Sequence, residues 1–304
     1  MNGPEGAEAL VVAEADLDRA AAAVAGDGVT IRGTRPVGGG DINEARLLEL
    51  SDGRRLFLKR NALSLTDLFL EEVRGLLALA ECRAVRVPRP LALFSDRTHQ
   101  HLVMEYIAPG ARNGRFWATF GRALAQLHRA ARSPRCGFFR DNYIGATRQT
   151  NDWSDDWYAF FAARRLVFQV RLARGRGLAD EWMERATLRL AERVPELLPP
   201  LDDGGASLLH GDLWGGNTMA DGEGNPVLID PATYYGHREA DLSMTQLFGG
   251  FPETFLRAYD EAWPLPPGFA ERRDIYNLYH LFNHLNLFGA GYAGSCRAIL
   301  RRFA

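Results

Sequence analysis

The segment "LLHGDLWGGN" (Leu208–Asn217), followed by "VLID" (Val227–Asp230), decides how this chain reads. Asp212 precedes Asn217 by five residues, and Asp230 closes the second apolar run thirteen residues after Asn217. Between them "ADGEGN" (Ala220–Asn225) is a turn that doubles the chain back, so that Asp230 faces Asn217 across a hairpin. Taken singly, Asp212 reads as a turn aspartate and Asn217 as a cap. Taken together, they supply a carboxylate that can accept a proton and two oxygen ligands for a hard divalent cation.

Phosphoryl transfer from ATP requires that set: a carboxylate beside the acceptor hydroxyl and two oxygen ligands for Mg²⁺. The Asp-x₄-Asn spacing is that of the kinase catalytic loop, although Asp230 is followed by Pro-Ala rather than Phe-Gly. Asp212 is therefore the expected catalytic base, with Asn217 and Asp230 as the metal ligands. His210 has no partner His or Cys nearby and reads as a brace for the loop rather than as a metal ligand.

A second stretch, "LFLKRN" (Leu56–Asn61), supplies the cation such a site needs. Of the 36 Lys and Arg residues, Lys59 is the one lysine. Codon bias toward Arg explains the general pattern, and on that reading one lysine survives anywhere by chance. An ammonium is a compact point charge on a flexible stem, whereas a guanidinium is a planar fork, so a lone lysine in an apolar strand suggests a tight space such as that between phosphate oxygens. A strand lysine of this kind pairs with a glutamate on the next helix. Glu72 falls beside the apolar face of the helix expected from about Thr66 to Glu81, and Glu71 competes for the role. Thr66 or Asp67 is the expected cap of that helix.

"VGGGDIN" (Val37–Asn43) lies between two strands ahead of Lys59, and Gly38, Gly39 and Gly40 would let backbone amides approach phosphates. "LVMEYI" (Leu102–Ile107) ends the strand region. There, backbone groups of Glu105 and Tyr106 would meet adenine. The order strand, Gly-rich loop, strand, Asp-Gly hairpin ("SDG", 51–53), strand with Lys59, helix, strand, strand implies an antiparallel sheet. An Ala-rich helix at about 15–25 precedes it. "APGARNG" (Ala108–Gly114) is a composition break. Helices are expected beyond it at about 115–131, 153–174, 178–194, 253–262 and 271–288, interrupted by an extended segment from Ser207 to Ser243. The fold class is thus α+β and bilobal, with a small antiparallel-sheet lobe at 1–107 and a larger, mostly helical lobe at 108–304.

The bulk properties agree with such an enzyme. The chain has 304 residues, 46% hydrophobic and 24% charged, with a formal net charge of −2, so no global basic field exists for nucleic acid or anionic membrane. No apolar run approaches the ~18 residues of a membrane span. Three widely spaced cysteines argue against a disulfide framework or zinc site, and a cytoplasmic location is expected.

By its motifs the chain resembles the fructosamine kinase (ketosamine kinase) family, in the aminoglycoside-phosphotransferase branch of the protein-kinase-like fold. The carrying stretches are "HGDLWGGN", "IDPATYYGHREADLSM", "GGGDINEA" and "LVMEYI", and the likeness extends over nearly the whole chain. The resemblance implies Asp212 as base, Asn217 and Asp230 as Mg²⁺ ligands, Lys59 with Glu72 as the phosphate-binding pair, and ATP as donor. It implies phosphorylation of the sugar 3-hydroxyl of ketosamines, small or protein-bound, an adduct that then falls apart and so reverses glycation. Choline, aminoglycoside or sugar kinases of the same fold would share the Asp/Asn/Asp frame. Trp214, Tyr234, Tyr235, His237 and Arg238 fall in stretches expected near the sugar site; packing of the loop against the helical lobe is the other reading of Tyr234, Tyr235 and Arg238. Asp241 is expected to brace the catalytic loop. Some family members carry Cys after the three glycines, proposed to link dimers; this chain has Asp41 there, so a monomer without a thiol switch is expected.

Overall fold

The computed structural model describes residues 6–7, 10–11, 17–38, 42–65 and 67–304, and only the backbone at 18, 19 and 21. Helix α1 (Leu17–Ala25) leads to strands β1 (Ile31–Pro36), β2 (Glu44–Leu50) and β3 (Arg55–Ala62). Helix α2 (Leu68–Glu81) follows, then β4 (Pro90–Ser95) and β5 (His99–Glu105). All five strands pair antiparallel in the order β1-β2-β3-β5-β4, with the expected turn at 51–53 joining β2 to β3. The period-2 alternation of β3 determines where its lysine points. Leu56 and Leu58 pack with Leu48, Leu50, Phe94 and Val103 against α1, while Phe57 and Lys59 face the cleft. The opposite face of the sheet carries α2, whose Phe69, Val73, Leu76 and Leu79 are buried in the large core shared with the rest of the chain.

Asp67 stands at the N-cap of α2 but does not cap it with its side chain. Its carboxylate instead accepts hydrogen bonds from the Tyr143 hydroxyl (2.5 Å) and Arg148 Nη1 (2.8 Å), which ties α2 to the helical lobe. Thr66, the other expected cap, lies outside the described residues.

The larger lobe begins with α3 (Phe116–Ala130), the short strand β6 (Arg132–Ser133) and the hairpin β7 (Asn142–Ile144) with β8 (Thr147–Gln149). The next helix starts at Trp157 rather than 153, because the Asp156 side chain accepts the Ala159 N–H (3.1 Å) and sets the N-terminus there. It runs as α4 (Trp157–Phe160) through a π-helical stretch (Phe161–Val167) into α5 (Phe168–Gly175). The π stretch aims Arg165 into the core, where it donates to Thr150 O (2.8 Å) and Asn151 Oδ1 (2.7 Å). Asp180 caps α6 (Glu181–Leu197) in the same way as Asp156.

The segment expected to be extended holds β9 (Ala206–Leu209), β10 (Thr218–Ala220), β11 (Pro226–Leu228) and β12 (Tyr234–Gly236). It ends in a helix, α7 (Glu239–Met244), which the sequence reading took as extended. Helices α8 (Glu253–Ala262), α9 (Phe269–Phe288) and α10 (Ala293–Phe303) complete the lobe. The last was not anticipated; it buries Cys296 and Leu300. Among the described residues no helix is long and apolar enough to cross a membrane. Cys82, Cys136 and Cys296 are all free thiols, the last two buried.

Candidate active site

The sheet lobe and the helical lobe enclose a cleft of about 1310 Å³. Lys59, Glu72, Asp212, Asn217 and Asp230 all line it, although they come from β3, α2 and the segment between β9 and β12. Lys59 Nζ donates to Glu72 Oε1 at 2.6 Å and also to Asp230 Oδ1. Burial works against this ammonium, but the two carboxylates outweigh it and hold its pKa above the ordinary lysine value. Glu71 points elsewhere and pairs with Arg74. Asp230 has φ +55°, an uncommon left-handed backbone for a residue other than glycine. That conformation turns its carboxylate out of the hairpin toward Lys59.

The hairpin predicted from "ADGEGN" forms as β10 pairs with β11, Thr218 opposite Leu228. It brings the Ile229 N–H to the Asn217 carbonyl (3.1 Å), so the two expected metal ligands sit side by side. Asn217 Nδ2 donates to the backbone carbonyl (2.8 Å) and Oδ2 (3.0 Å) of Asp212. With its amide nitrogen spent there, the asparagine has its Oδ1 left for a cation. Oxygen donors of this kind suit Mg²⁺, which takes one or two protein oxygens and completes its shell with water and phosphate. Burial, opposed by the Asn217 hydrogen bond, pushes the Asp212 carboxyl up to about 7, which puts a base in the working range for proton transfer.

The catalytic loop is braced from behind. His210 Nδ1 accepts the Asp212 N–H (3.2 Å) and its Nε2 donates to Ile229 O (2.9 Å), which links the Asp212 and Asp230 segments through one ring. Asp241, on α7, accepts the N–H groups of His210 (2.7 Å) and Gly211 (2.8 Å) and a hydrogen bond from His128 Nε2 (3.2 Å). Gly211 adopts φ +83°, and a Cβ there would lie 2.0 Å from Ala232 O. Only glycine permits this approach of the two segments.

Of the nucleotide-side residues, Gly38 lines the cleft and Gly39, Gly40 and Asp41 lie outside the described residues. Glu105 and Tyr106 line the cleft where β5 ends, with their side chains engaged elsewhere. Glu105 Oε1 accepts from Arg86 Nη2 (2.5 Å), and the Tyr106 ring lies under Arg55 at 4.7 Å. This leaves backbone groups to meet a base.

Trp214 also lines the cleft, but the other four expected sugar-site residues do not. Strand β12 pairs antiparallel with β9, Tyr234 opposite Leu209, and so carries the chain away from Asp230 and behind the catalytic loop. Tyr234 is buried under Arg165, whose guanidinium carbon is 4.0 Å from the ring centroid. Tyr235 faces a separate groove with Cys82, Phe138 and Trp153. His237 is buried between Trp157 and Tyr276. Arg238 is 1% exposed and is consumed by Asp202 (3.0 Å), Trp263 O (2.9 Å) and Pro264 O (2.7 Å). These side chains pack the lobe rather than face an acceptor.

One end of the cleft is walled by rings that the sequence does not single out. Phe248 lies 4.5 Å from His284 and 6.4 Å from Trp214, and Phe288 and Tyr292 complete the wall. Phe248 and Phe288 are 40% and 47% exposed, unusual for large apolar side chains. Phe248 is held at φ +50° ahead of two glycines, the one local signal in the sequence that could have marked it.

The fructosamine kinase family model matches residues 14–304. The chain belongs to the fructosamine kinase family. It is a phosphotransferase with an alcohol acceptor. It is 42% identical over 272 residues to a candidate ketoamine kinase of Synechocystis, covering 90% of each chain. It is 39% identical over 280 residues to the chloroplastic protein-ribulosamine 3-kinase of Oryza sativa subsp. indica, covering 90% of this chain and 80% of that one. The solved structure of a candidate fructosamine-3-kinase from Thermobifida fusca superposes with a TM-score of 0.83 at 30% identity, over 94% of this chain and 97% of that one. A type I macrolide 2'-phosphotransferase shares the fold at a TM-score of 0.54 and 16% identity, over 91% of this chain and 93% of that one.

Proposed function

We propose that this fructosamine-kinase family member uses ATP and Mg²⁺ to phosphorylate the 3-hydroxyl of ketosamines, the adducts that ketose-forming sugars leave on amines. The observation that carries the reading is the meeting of Asp212, Asn217, Asp230 and the Lys59–Glu72 pair in one cleft. Kinase relatives named for ketoamines and ribulosamines support the acceptor class.

Lys59, held by Glu72, is placed for the donor phosphates, and Gly38 contributes a close backbone approach. Asn217 Oδ1 and the Asp230 carboxylate would hold Mg²⁺, which when bound offsets the negative charge of the phosphates. Asp212 accepts the proton of the sugar hydroxyl as its oxygen attacks the terminal phosphorus of ATP and the bond to the bridging oxygen breaks, releasing ADP. Trp214 offers a ring face to the sugar.

The test is ATP turnover with Mg²⁺ against ribulose-lysine, fructose-lysine, choline and kanamycin, with Asp212→Asn as the blank. Turnover of a ketosamine that disappears in the variant is the expected result. Turnover confined to choline or kanamycin would sink the acceptor assignment and leave the phosphotransferase intact.

A further inference from the structure

Helix α9 brings two imidazoles to the catalytic loop, one turn apart, and they are used differently. His284 lines the cleft, and its Nδ1 donates to the carbonyl of His280 at 2.9 Å. His280 is 4% exposed, and its own Nδ1 has no hydrogen-bond partner. That nitrogen lies 4.0 Å from Asp212 Oδ1. The two oxygens of Asp212 are therefore unequally held: Oδ2 accepts from Asn217 Nδ2 at 3.0 Å, whereas Oδ1 faces His280.

A buried polar nitrogen without a partner is uncommon and costly, so its place beside the base calls for a cause. Burial disfavours the imidazolium and brings the His280 pKa down to about 3, so the ring is neutral at working pH and carries one N–H. His284, Asp241 and Arg165 are the charged or titratable groups that bear on its protonation. Asp241 is already committed to His210, Gly211 and His128, and Arg165 carries donors only. Asp212 Oδ1, 4.0 Å away, is the carboxylate oxygen that this nitrogen faces.

We propose that His280 is a positioning residue for the base: its Nδ1–H closes a gap of roughly 1 Å and donates to Asp212 Oδ1 when the acceptor is seated. With Asn217 on one oxygen and His280 on the other, the carboxylate has a single orientation, and a remaining lone pair meets the acceptor hydroxyl. The inference rests on the reading of Asp212 as base given above.

Two variants separate this role from simple packing. His280→Leu fills the space without a donor, and His280→Asn keeps an N–H at a similar reach. The expected result is a kcat lowered roughly tenfold to a hundredfold in the Leu variant, with KM for ATP and for the ketosamine changed by no more than about twofold. The Asn variant should recover most of the rate. Unchanged kcat in the Leu variant, or equal loss in both with lowered thermal midpoints, overturns the proposal.

A second measurement does not depend on the variants folding or on turnover. In ¹⁵N-histidine-labelled wild-type protein, with a ketosamine and a non-hydrolysable ATP analogue, the His280 Nδ1 should carry the proton and its resonance should move downfield. Asp212→Ala, which removes the acceptor, should abolish that shift. A neutral ring protonated at Nε2 in the complex would overturn the proposal. Absence of ketosamine turnover by the wild type would instead count against the acceptor assignment, and the resonance is then read with whichever alcohol the enzyme does phosphorylate.

Discussion

Lys59 and Asp230, 171 positions apart in the chain, meet in the cleft as a hydrogen-bonded ion pair, and Glu72 accepts from the same ammonium at 2.6 Å. One cation thus satisfies a carboxylate from each lobe. Removing it with Lys59→Met leaves the largely covered Glu72 unpaired, which costs at most the roughly 3–5 kcal/mol of breaking a fully buried pair. Turnover should fall by on the order of 10²-fold or more. Lys59→Arg should recover the thermal midpoint in part but not the rate, because the planar fork does not fit where the ammonium does. Wild-type turnover in the Arg variant would refute the need for an ammonium.

Asp212→Asn should lower kcat by on the order of 10²-fold or more while ATP still binds, since the loss is of a proton acceptor and not of the phosphate contacts. The pH profile follows from the same residue. A base must be ionised, and burial raises this carboxyl from 3.8 to about 7, so kcat/KM should fall as pH drops through about 7 and level off above it. An acid limb centred near the ordinary aspartate value would contradict that environment.

Stability should depend on pH through the buried histidines. His237 and His280 are each pushed by burial from 6.5 to about 3. Their folded pKa values are depressed, so the unfolded chain binds protons first; the stability they contribute is complete above about 6.5 and drains as pH falls toward 3. The thermal midpoint should decline steadily between pH 6.5 and 4, and His237→Asn should make the decline shallower. A midpoint flat across that range would sink the argument.

Gly211→Ala tests the approach of the catalytic loop to the segment after Asp230. The added methyl would meet Ala232 O at 2.0 Å on a backbone at φ +83°. Strain of this kind costs about 1–3 kcal/mol, and relief requires moving Asp212. Chemical denaturation should show the loss, and turnover should fall further than stability alone explains. A fully active, equally stable Ala variant would mean that the two segments separate freely.

The thiols should be inert. Burial pushes Cys82 to about 11 and Cys136 and Cys296 to about 12, so none is a reactive thiolate near neutral pH. A non-reducing gel should show a single monomer band with or without oxidant. A dimer band removed by reductant would contradict this.

The fold was legible where patterns are local. Alternation in β2 and β3, the Asp-Gly turn and the helical periodicity of α2 are each visible within about ten residues, and the lobe they build follows. Helices α7 and α10 escaped because "EADLSM" and "AGSCRAILRRF" are short and follow extended or Gly-rich stretches. In the site, the Lys59–Glu72 pair and the Asp212–Asn217 contact could be anticipated because fixed spacing on adjacent elements constrains them. For Tyr234, Tyr235 and Arg238 the structure agrees with the packing reading, and His237 packs likewise, because proximity in sequence to Asp230 says nothing of the turn into β12. The Phe248–His284–Tyr292 wall is assembled from separate segments, and no single window contains it.

Lys59 also bears on how the protein meets the sugars whose products it is proposed to clear. Sugar carbonyls are attacked by amines with a free lone pair, and the only lysine of this chain is buried, ion-paired on two sides and kept protonated. After long incubation with ribose, peptide mapping should find Lys59 unmodified in the folded protein and adducts on it once the chain is unfolded. With its one lysine buried and paired, the folded chain offers sugars no free lysine amine.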